Sequence, residues 1–139
     1  MVKIRVMTVN DWDGISELWK DHKGTNPVDD SREGFIRYIK RNPTTSFVAE
    51  DNGRIIGTIL AGHDGRRGIF HHVHTASAYR KQGIGRRLVE SAMEALRNEG
   101  IQKVLLVVFT DNDEGNAFWE NMGFTVREDL FYRNKYIEL

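Results

Sequence analysis

Between Gly68 and Phe109 the hydrophobic pattern changes three times, and that succession of patterns dictates most of what the chain can fold into. Ile69 through Thr75 reads as a strand that runs on to Ala76, and Arg80-Lys81-Gln82-Gly83-Ile84-Gly85 follows as a glycine-bearing loop. From Ile84 the apolar residues recur at Leu88, Ala92 and Leu96, with Val89 and Met93 beside them. Arg86, Glu90, Glu94 and Arg97 face the other way, so the segment predicts an amphipathic helix that Gly100 ends. Val104 to Phe109 is then an unbroken apolar run, the composition of a strand buried on both faces. Strand, loop, helix and buried strand make a βαβ unit with a right-handed crossover.

The loop has chemistry of its own. Glycines that turn the backbone tightly where a helix begins leave several N–H groups pointing outward without partners. With the positive end of the helix dipole they form an anion site, which Arg80, Lys81, Arg86 and Arg87 surround with charge. A pyrophosphate suits such a site. A lone Gly-x-Gly before a helix is equally an ordinary strand-to-helix turn. Gly-Lys-Ser/Thr of a nucleotide P-loop, the third glycine of a dinucleotide fingerprint and a metal-holding carboxylate pattern are all missing.

The flanks supply the rest of an α/β domain. Lys3 to Thr8 alternates as a short strand, and Asn10 or Asp11 caps a helix with Ile15, Leu18 and Trp19 inward. Gly24-Thr25-Asn26-Pro27 breaks it. Ser31 caps a second helix to Arg41, with Phe35, Ile36 and Ile39 inward, and Pro43 closes it. Asp51-Asn52-Gly53 is a hairpin signal between Ser46–Glu50 and Arg54–His63, and Asp64 to Gly68 turns the chain again, so three consecutive strands run antiparallel. Asp111 to Asp113 starts a last helix through Met122, and Phe124 to Glu138 supplies two final strands.

A chain of 139 residues with 40% hydrophobic content is expected to be one domain, residues 1–139, with a core that needs no staples. Zero formal net charge removes any global attraction to nucleic acid or anionic membrane. Glu90, Glu94 and Glu99, on the same helix as the basic loop, argue against a nucleic-acid face. Without cysteine there is no disulfide and no thiol nucleophile. No apolar run approaches the ~20 residues that span a bilayer, and Met1-Val2-Lys3-Ile4-Arg5 lacks the apolar stretch of a signal peptide. The expectation is a soluble, cytoplasmic protein.

Three segments together resemble the GNAT superfamily of acyl-CoA-dependent N-acyltransferases. Val73 to Gly85 is similar to the family's strand and its Arg/Gln-x-x-Gly-x-Gly/Ala loop; the helix from Ile84 and the strand after it follow in the family's order. Asn112-x-x-Gly115-x-x-Phe118-Trp119-x-x-x-Gly123-Phe124 resembles Asn-x-x-Ala-x-x-Phe-Tyr-x-x-x-Gly-Phe. The resemblance implies a mixed, mainly antiparallel sheet with a central parallel βαβ unit and about four flanking helices. It implies acetyl-CoA as co-substrate and no metal. Backbone N–H groups of Gln82, Gly83, Ile84, Gly85 and Arg86 would hold the pyrophosphate, with Arg80, Lys81 and Arg86 making charge-assisted contacts. The backbone of Val73 and Thr75 would pair with the pantetheine arm as another strand would, and an N–H there could meet the thioester oxygen. Asn112 would lie near the pantetheine, although a plain helix cap explains it as well.

Acyl transfer to an amine needs a proton removed, since free alkyl amines have a pKa near ~10.4. The family's usual acid is a tyrosine at the position of Trp119, and an indole N–H does not titrate usefully. Trp119 is therefore expected to pack beside the thiol end of the coenzyme or in the core. His71 is the expected base: strict alternation puts it with Val73 and Thr75 and turns His72 and His74 to the other face. Tyr132 is the alternative phenol, and Tyr79 an aromatic that packs. Trp19, His22 and Asn26 are candidates to line the acceptor pocket, with Asp29, Asp30 and Glu33 offering negative charge to a cationic amine. The activity implied is acetyl transfer to a primary amine, a small molecule, by direct attack in a ternary complex. Acetylation of a protein N-terminus or lysine and a silent acyl-CoA-sensing module are the competing readings. An exposed final strand pair would permit a homodimer.

Overall fold

The structure, a computed structural model, describes residues 1–138. It divides into two compact units, Met1–Val107 and Val108–Leu139. The first holds strands β1 (Val2–Val6), β2 (Phe47–Asp51), β3 (Arg54–His63), β4 (Gly68–Thr75) and β5 (Val104–Leu105) with helices α1 (Trp12–Leu18), α2 (Arg32–Arg41) and α3 (Ile84–Asn98). The second holds α4 (Asp113–Asn121). The sheet runs in the order β1-β2-β3-β4-β5. Its first three pairings are antiparallel and β4 to β5 is parallel, so the mixed, mainly antiparallel sheet with four α-helices matches the expected fold class.

Local signals set most boundaries. The Asp11 carboxylate accepts the Thr8 N–H at 2.8 Å, which fixes the turn into α1, and Arg5 donates to both its oxygens. Ser31 Oγ accepts the Gly34 N–H at 3.0 Å and starts α2. Asn52 and Gly53, with φ of 51° and 81°, form the two-residue hairpin turn between β2 and β3.

Two apolar layers cover the sheet. On one, Ile15, Trp19, Phe35 and Ile39 from the α1–α2 side meet Met7, Val48 and Leu60. On the other, α3 buries Ile84, Leu88, Val89, Ala92 and Leu96. A Cβ at Gly57 would stand 3.2 Å from Leu88 Cδ1, so the missing side chain lets α3 lie close on β3.

Two expectations fail. The run from Val104 to Phe109 is a strand only over two residues, paired at Gly68–Val104 and Ile69–Leu105, and Val107 and Phe109 are 62% and 51% exposed. An apolar run becomes a doubly buried strand only when neighbours flank it, and β5 ends the strand order. Phe124 to Glu138 forms no strand either. Its residues join no ladder among those described, and Leu130, Phe131 and Ile137 lie exposed. The strand-pair edge on which a homodimer was expected is therefore missing among the described residues.

Candidate functional site

The basic loop folds as an N-terminal nest for α3. Lys81 and Gly83 take left-handed φ of 62° and 78°, and the helix's own hydrogen bonding begins with Arg87 N–H donating to Gly83 O at 3.1 Å. The N–H groups of Ile84, Gly85 and Arg86 precede that bond and have no intrahelical acceptor. The Ile84 side chain, at the start of α3, is buried, so at this position only the backbone is offered. Gln82 is exposed. Tyr79 does more than pack: its hydroxyl donates to Asp51 at 2.6 Å and ties the loop to the end of β2. Arg80 Nε donates to Thr75 O at 3.1 Å, and Arg86 stands 4.0 Å from Glu90 on the helix surface. Arg87 is turned away toward Val2 O, at 3.4 Å.

Beside the loop, β4 has an open edge. Its parallel ladder with β5 ends at Ile69, so Val73 and Thr75 lie on a stretch of β4 that no strand pairs with on that side among the described residues.

The histidines of β4 depart from simple alternation. Leu60 pairs with His71 and Thr58 with His74, so two residues of β4, His72 and Val73, oppose the single Ile59. This is a β-bulge, with His72 at φ 48°. Thr58 and Leu60 share one face of β3, and their partners His71 and His74 therefore share it too. Thr75, paired with Gly57, lies on the other. The expected grouping of His71 with Thr75 is overturned, because a bulge inserts one residue and inverts the parity of everything after it. His72 reaches the same side by a different route: its ring lies 4.6 Å from that of Trp19. Two hydrogen bonds brace the bulge. Thr58 Oγ1 donates to His72 O at 2.9 Å, and Trp19 Nε1 donates to Thr58 Oγ1 at 3.0 Å.

His72 and His74 thus meet the segment between α1 and α2, and His71 meets α2 at Tyr38. His72 Nε2 lies 2.8 Å from Asp30 Oδ1, and His72 Nδ1 lies 3.2 Å from His22 Nε2. The His22 ring is 4.5 Å from that of His74. His74 Nε2 is buried with no close hydrogen-bond partner among the described residues, and Asp21 Oδ1 lies 3.4 Å away. Burial, then the neighbouring His74 and His72, holds His22 down at about 4. Burial likewise lowers His71 and His74. Burial pushes Asp30 up, but hydrogen bonds from His72 and the Asn26 N–H outweigh it and leave the carboxyl below its ordinary value. His71 has Tyr38 as its ring neighbour, at 6.0 Å. The Tyr38 hydroxyl is buried without a hydrogen-bond partner among the described residues, and a Cβ at Gly62 would come within 2.7 Å of it.

In the second unit Asn112 caps α4, its Oδ1 accepting the Gly115 N–H at 2.9 Å. A Cβ at Gly115 would clash with the Asn112 carboxamide, so glycine there lets that group fold over the first turn. Trp119 is buried against Phe118 and Phe124, with centroids 4.9 and 5.0 Å away. Tyr132 is exposed.

Among the described residues no three His, Asp or Glu side chains converge to hold a metal ion, and no helix is long and apolar enough to cross a membrane. The pairing of His72 with Asp30 and His22 is what sequence reasoning missed. Their separations of 42 and 50 residues carry no local signal, and only the bulge brings them together.

Comparison with known proteins adds a lineage to this geometry. The sequence profile of the Acetyltransferase (GNAT) family matches residues 12–124. An acetyltransferase of Pectobacterium atrosepticum is 26% identical over 137 residues, 99% of this chain and 97% of its own. Among solved structures, the Ard1 protein of Thermoplasma volcanium superposes with a TM-score of 0.81 at 19% identity, over 91% of this chain and 84% of its own. The PaiA N-acetyltransferase of Thermoplasma acidophilum, solved in complex with coenzyme A, superposes with a TM-score of 0.79 at 20% identity, over 91% of each chain.

Proposed function

Since the chain belongs to the acetyltransferase (GNAT) family, we propose that it transfers an acetyl group from acetyl-CoA to a primary amine, a small molecule, by direct attack in a ternary complex. The observation that carries this reading is the juxtaposition of the α3 nest with the open edge of β4. A diphosphate needs convergent N–H donors and positive charge. Gln82 to Arg86 supply the donors, Lys81 and Arg86 the charge, and Arg80 stiffens the loop from β4. A pantetheine arm carries amides, which pair with strand N–H and C=O groups. Val73 and Thr75 lie on the stretch of β4 that no strand pairs with on that side among the described residues, and Arg80 would have to release Thr75 O for that carbonyl to take part. The residues present therefore suit coenzyme A, the ligand with which the PaiA N-acetyltransferase was solved.

The acceptor must lose a proton before it can attack. We place that chemistry on the side of the sheet facing α1 and α2, where the β4 histidines gather; His71, partly buried beside Tyr38, is one of the bases available there. For Asn112 and Trp119 the same reading gives contact with the pantetheine arm, and for Tyr132 a proton-donating phenol. These three roles rest on resemblance alone.

Calorimetric titration with acetyl-CoA, with coenzyme A and NAD alongside, tests the reading. Micromolar binding of acetyl-CoA, followed by turnover against a panel of primary amines, is the expected result. Failure to bind either coenzyme A species would reduce the loop to a strand-to-helix turn. Tight binding without turnover on any amine or peptide would favour an acyl-CoA sensor.

A further inference from the structure

Resting on the acetyl-transfer reading above, we propose that His22, His72 and Asp30 form a proton relay, in which His22 takes the acceptor's proton and the charge comes to rest on His72 against Asp30. The hydrogen-bond directions follow from one fixed end. An ionised carboxylate only accepts, so His72 Nε2 carries the proton in the 2.8 Å contact with Asp30. Neutral His72 then has a bare Nδ1, which accepts from His22 Nε2–H across 3.2 Å. That leaves His22 Nδ1 as the basic nitrogen. His22 ends this chain of hydrogen bonds and is partly buried, as are His72 and Asp30, which keep 12% and 11% of their side-chain surface.

The step balances without any further reactant. The N–H bond of an incoming ammonium breaks as one forms at His22 Nδ1; the Nε2–H of His22 then passes to His72 Nδ1. A neutral amine, a neutral His22 and an imidazolium at His72 result, the last still hydrogen-bonded to Asp30. Charge on His22 is disfavoured by burial and by the facing rings of His72 and His74, with Asp21 and Asp30 opposing them. Moving it one ring along places it against a carboxylate instead. His72 is faced by Asp30, His22 and the Trp19 ring, with His71 6.3 Å away. Its left-handed φ costs about 1–2 kcal/mol, and the Thr58 and Trp19 hydrogen bonds hold it there. The strained conformation turns the ring to the acceptor side, and His22 is the catalytic residue while His72 and Asp30 position and discharge it.

Three measurements decide the matter. The first is independent of activity: nitrogen NMR shifts of the wild-type histidines at neutral pH are expected to show His72 protonated at Nε2 and bare at Nδ1. The opposite tautomer at His72 would overturn the relay even if the enzyme is active. The second is Asp30→Asn, which keeps size and an acceptor oxygen but removes the countercharge. With acetyl-CoA affinity unchanged, kcat is expected to fall about tenfold or more. The acid limb of the kcat/KM profile should move to lower pH, because the histidine pair binds its proton less tightly. An unmoved limb and rate would overturn the proposal. The third is His22→Ala, expected to lose about 10²-fold in kcat and to regain part of it with added imidazole; a loss without rescue would mean a packing role only. If wild type turns over no amine, the acetyl-transfer reading fails by itself. The NMR titration of Asp30→Asn, expected to show a lowered apparent pKa for the pair, then still decides the relay.

Discussion

The nest at the start of α3 and the histidine cluster between β4 and the α1–α2 segment lie in one unit of the molecule but are built on opposite principles. The nest is made of backbone: two left-handed residues and a run of N–H groups that precede the first intrahelical bond. Its polar and charged side chains, Arg80, Lys81, Gln82 and Arg86, are exposed. The cluster is made of side chains that are mostly buried, mutually hydrogen-bonded and dependent on a single bulge. A backbone site tolerates change in everything except conformation. A side-chain site fails when any one member is lost, and it responds to pH because its members titrate.

The largest effect is expected where conformation is attacked directly. Gly83→Val puts a β-branched residue at φ 78°, a strained conformation for any L side chain. A Cβ there meets nothing within 4 Å, so the folded chain loses only the strain, about 1–2 kcal/mol. The valine would stand instead in the space over the N–H groups that the anion needs. Acetyl-CoA binding should fall more than about 10²-fold, an affinity change of over ~2.7 kcal/mol, while the thermal midpoint drops by a few degrees. Retained affinity in calorimetry would show that the nest is not the phosphate site.

A second effect, smaller, should appear only in the cluster. His22 titrates near 4 in the folded chain and near 6.5 when unfolded, because burial favours its neutral form. Between those values the unfolded state binds more protons, so stability is full above about pH 6.5 and is lost as pH falls toward 4. His71 and His74, also lowered by burial, act in the same direction. The thermal midpoint should therefore fall between pH 7 and pH 5. His22→Asn should flatten that dependence, and Gly83→Val should leave its slope unchanged. A slope of wild-type steepness in His22→Asn would mean that the ring is not held neutral by burial.

How much of each region the sequence revealed follows from the same contrast. Gly83, Gly85 and the stripe Leu88, Ala92, Leu96 announce a nest and its helix, because local φ and a 3.6-residue period are both local properties. Asn52-Gly53 and Ser31 were legible for the same reason. The relation of His71, His72 and His74 was not. Strand alternation is a rule about unbroken ladders, and nothing in Phe70-His71-His72-Val73 marks the inserted residue that breaks it. Asp30 and His22 as partners of His72 were beyond reach, since no short-range pattern specifies a contact across 42 or 50 residues. The ends of the chain failed differently. Val104 to Phe109 and Phe124 to Glu138 carry strand-like composition, but a strand is a property of a pair, and among the described residues of these two runs only Val104 and Leu105 are paired in a ladder.

The smallest predicted effect returns to the nest and asks what its charges add to its backbone. Arg86 is mostly exposed, with Glu90 as an ion-pair neighbour at 4.0 Å and both side chains more than half in solvent. Such a pair is worth about 0–1 kcal/mol, so Arg86 is effectively available to a phosphate at little cost. A solvated guanidinium near an anion is also screened, with a Debye length of about 10 Å at 0.1 M salt. Arg86→Gln should therefore weaken acetyl-CoA binding only about three- to tenfold at low salt, which corresponds to ~0.7–1.4 kcal/mol, and the deficit should shrink as salt is raised. The N–H donors of the nest, held in place by the fold, should keep most of the affinity. A loss as large as that of Gly83→Val, persisting at high salt, would mean that the arginine side chain rather than the backbone makes the site, and the contrast between the two regions would no longer hold.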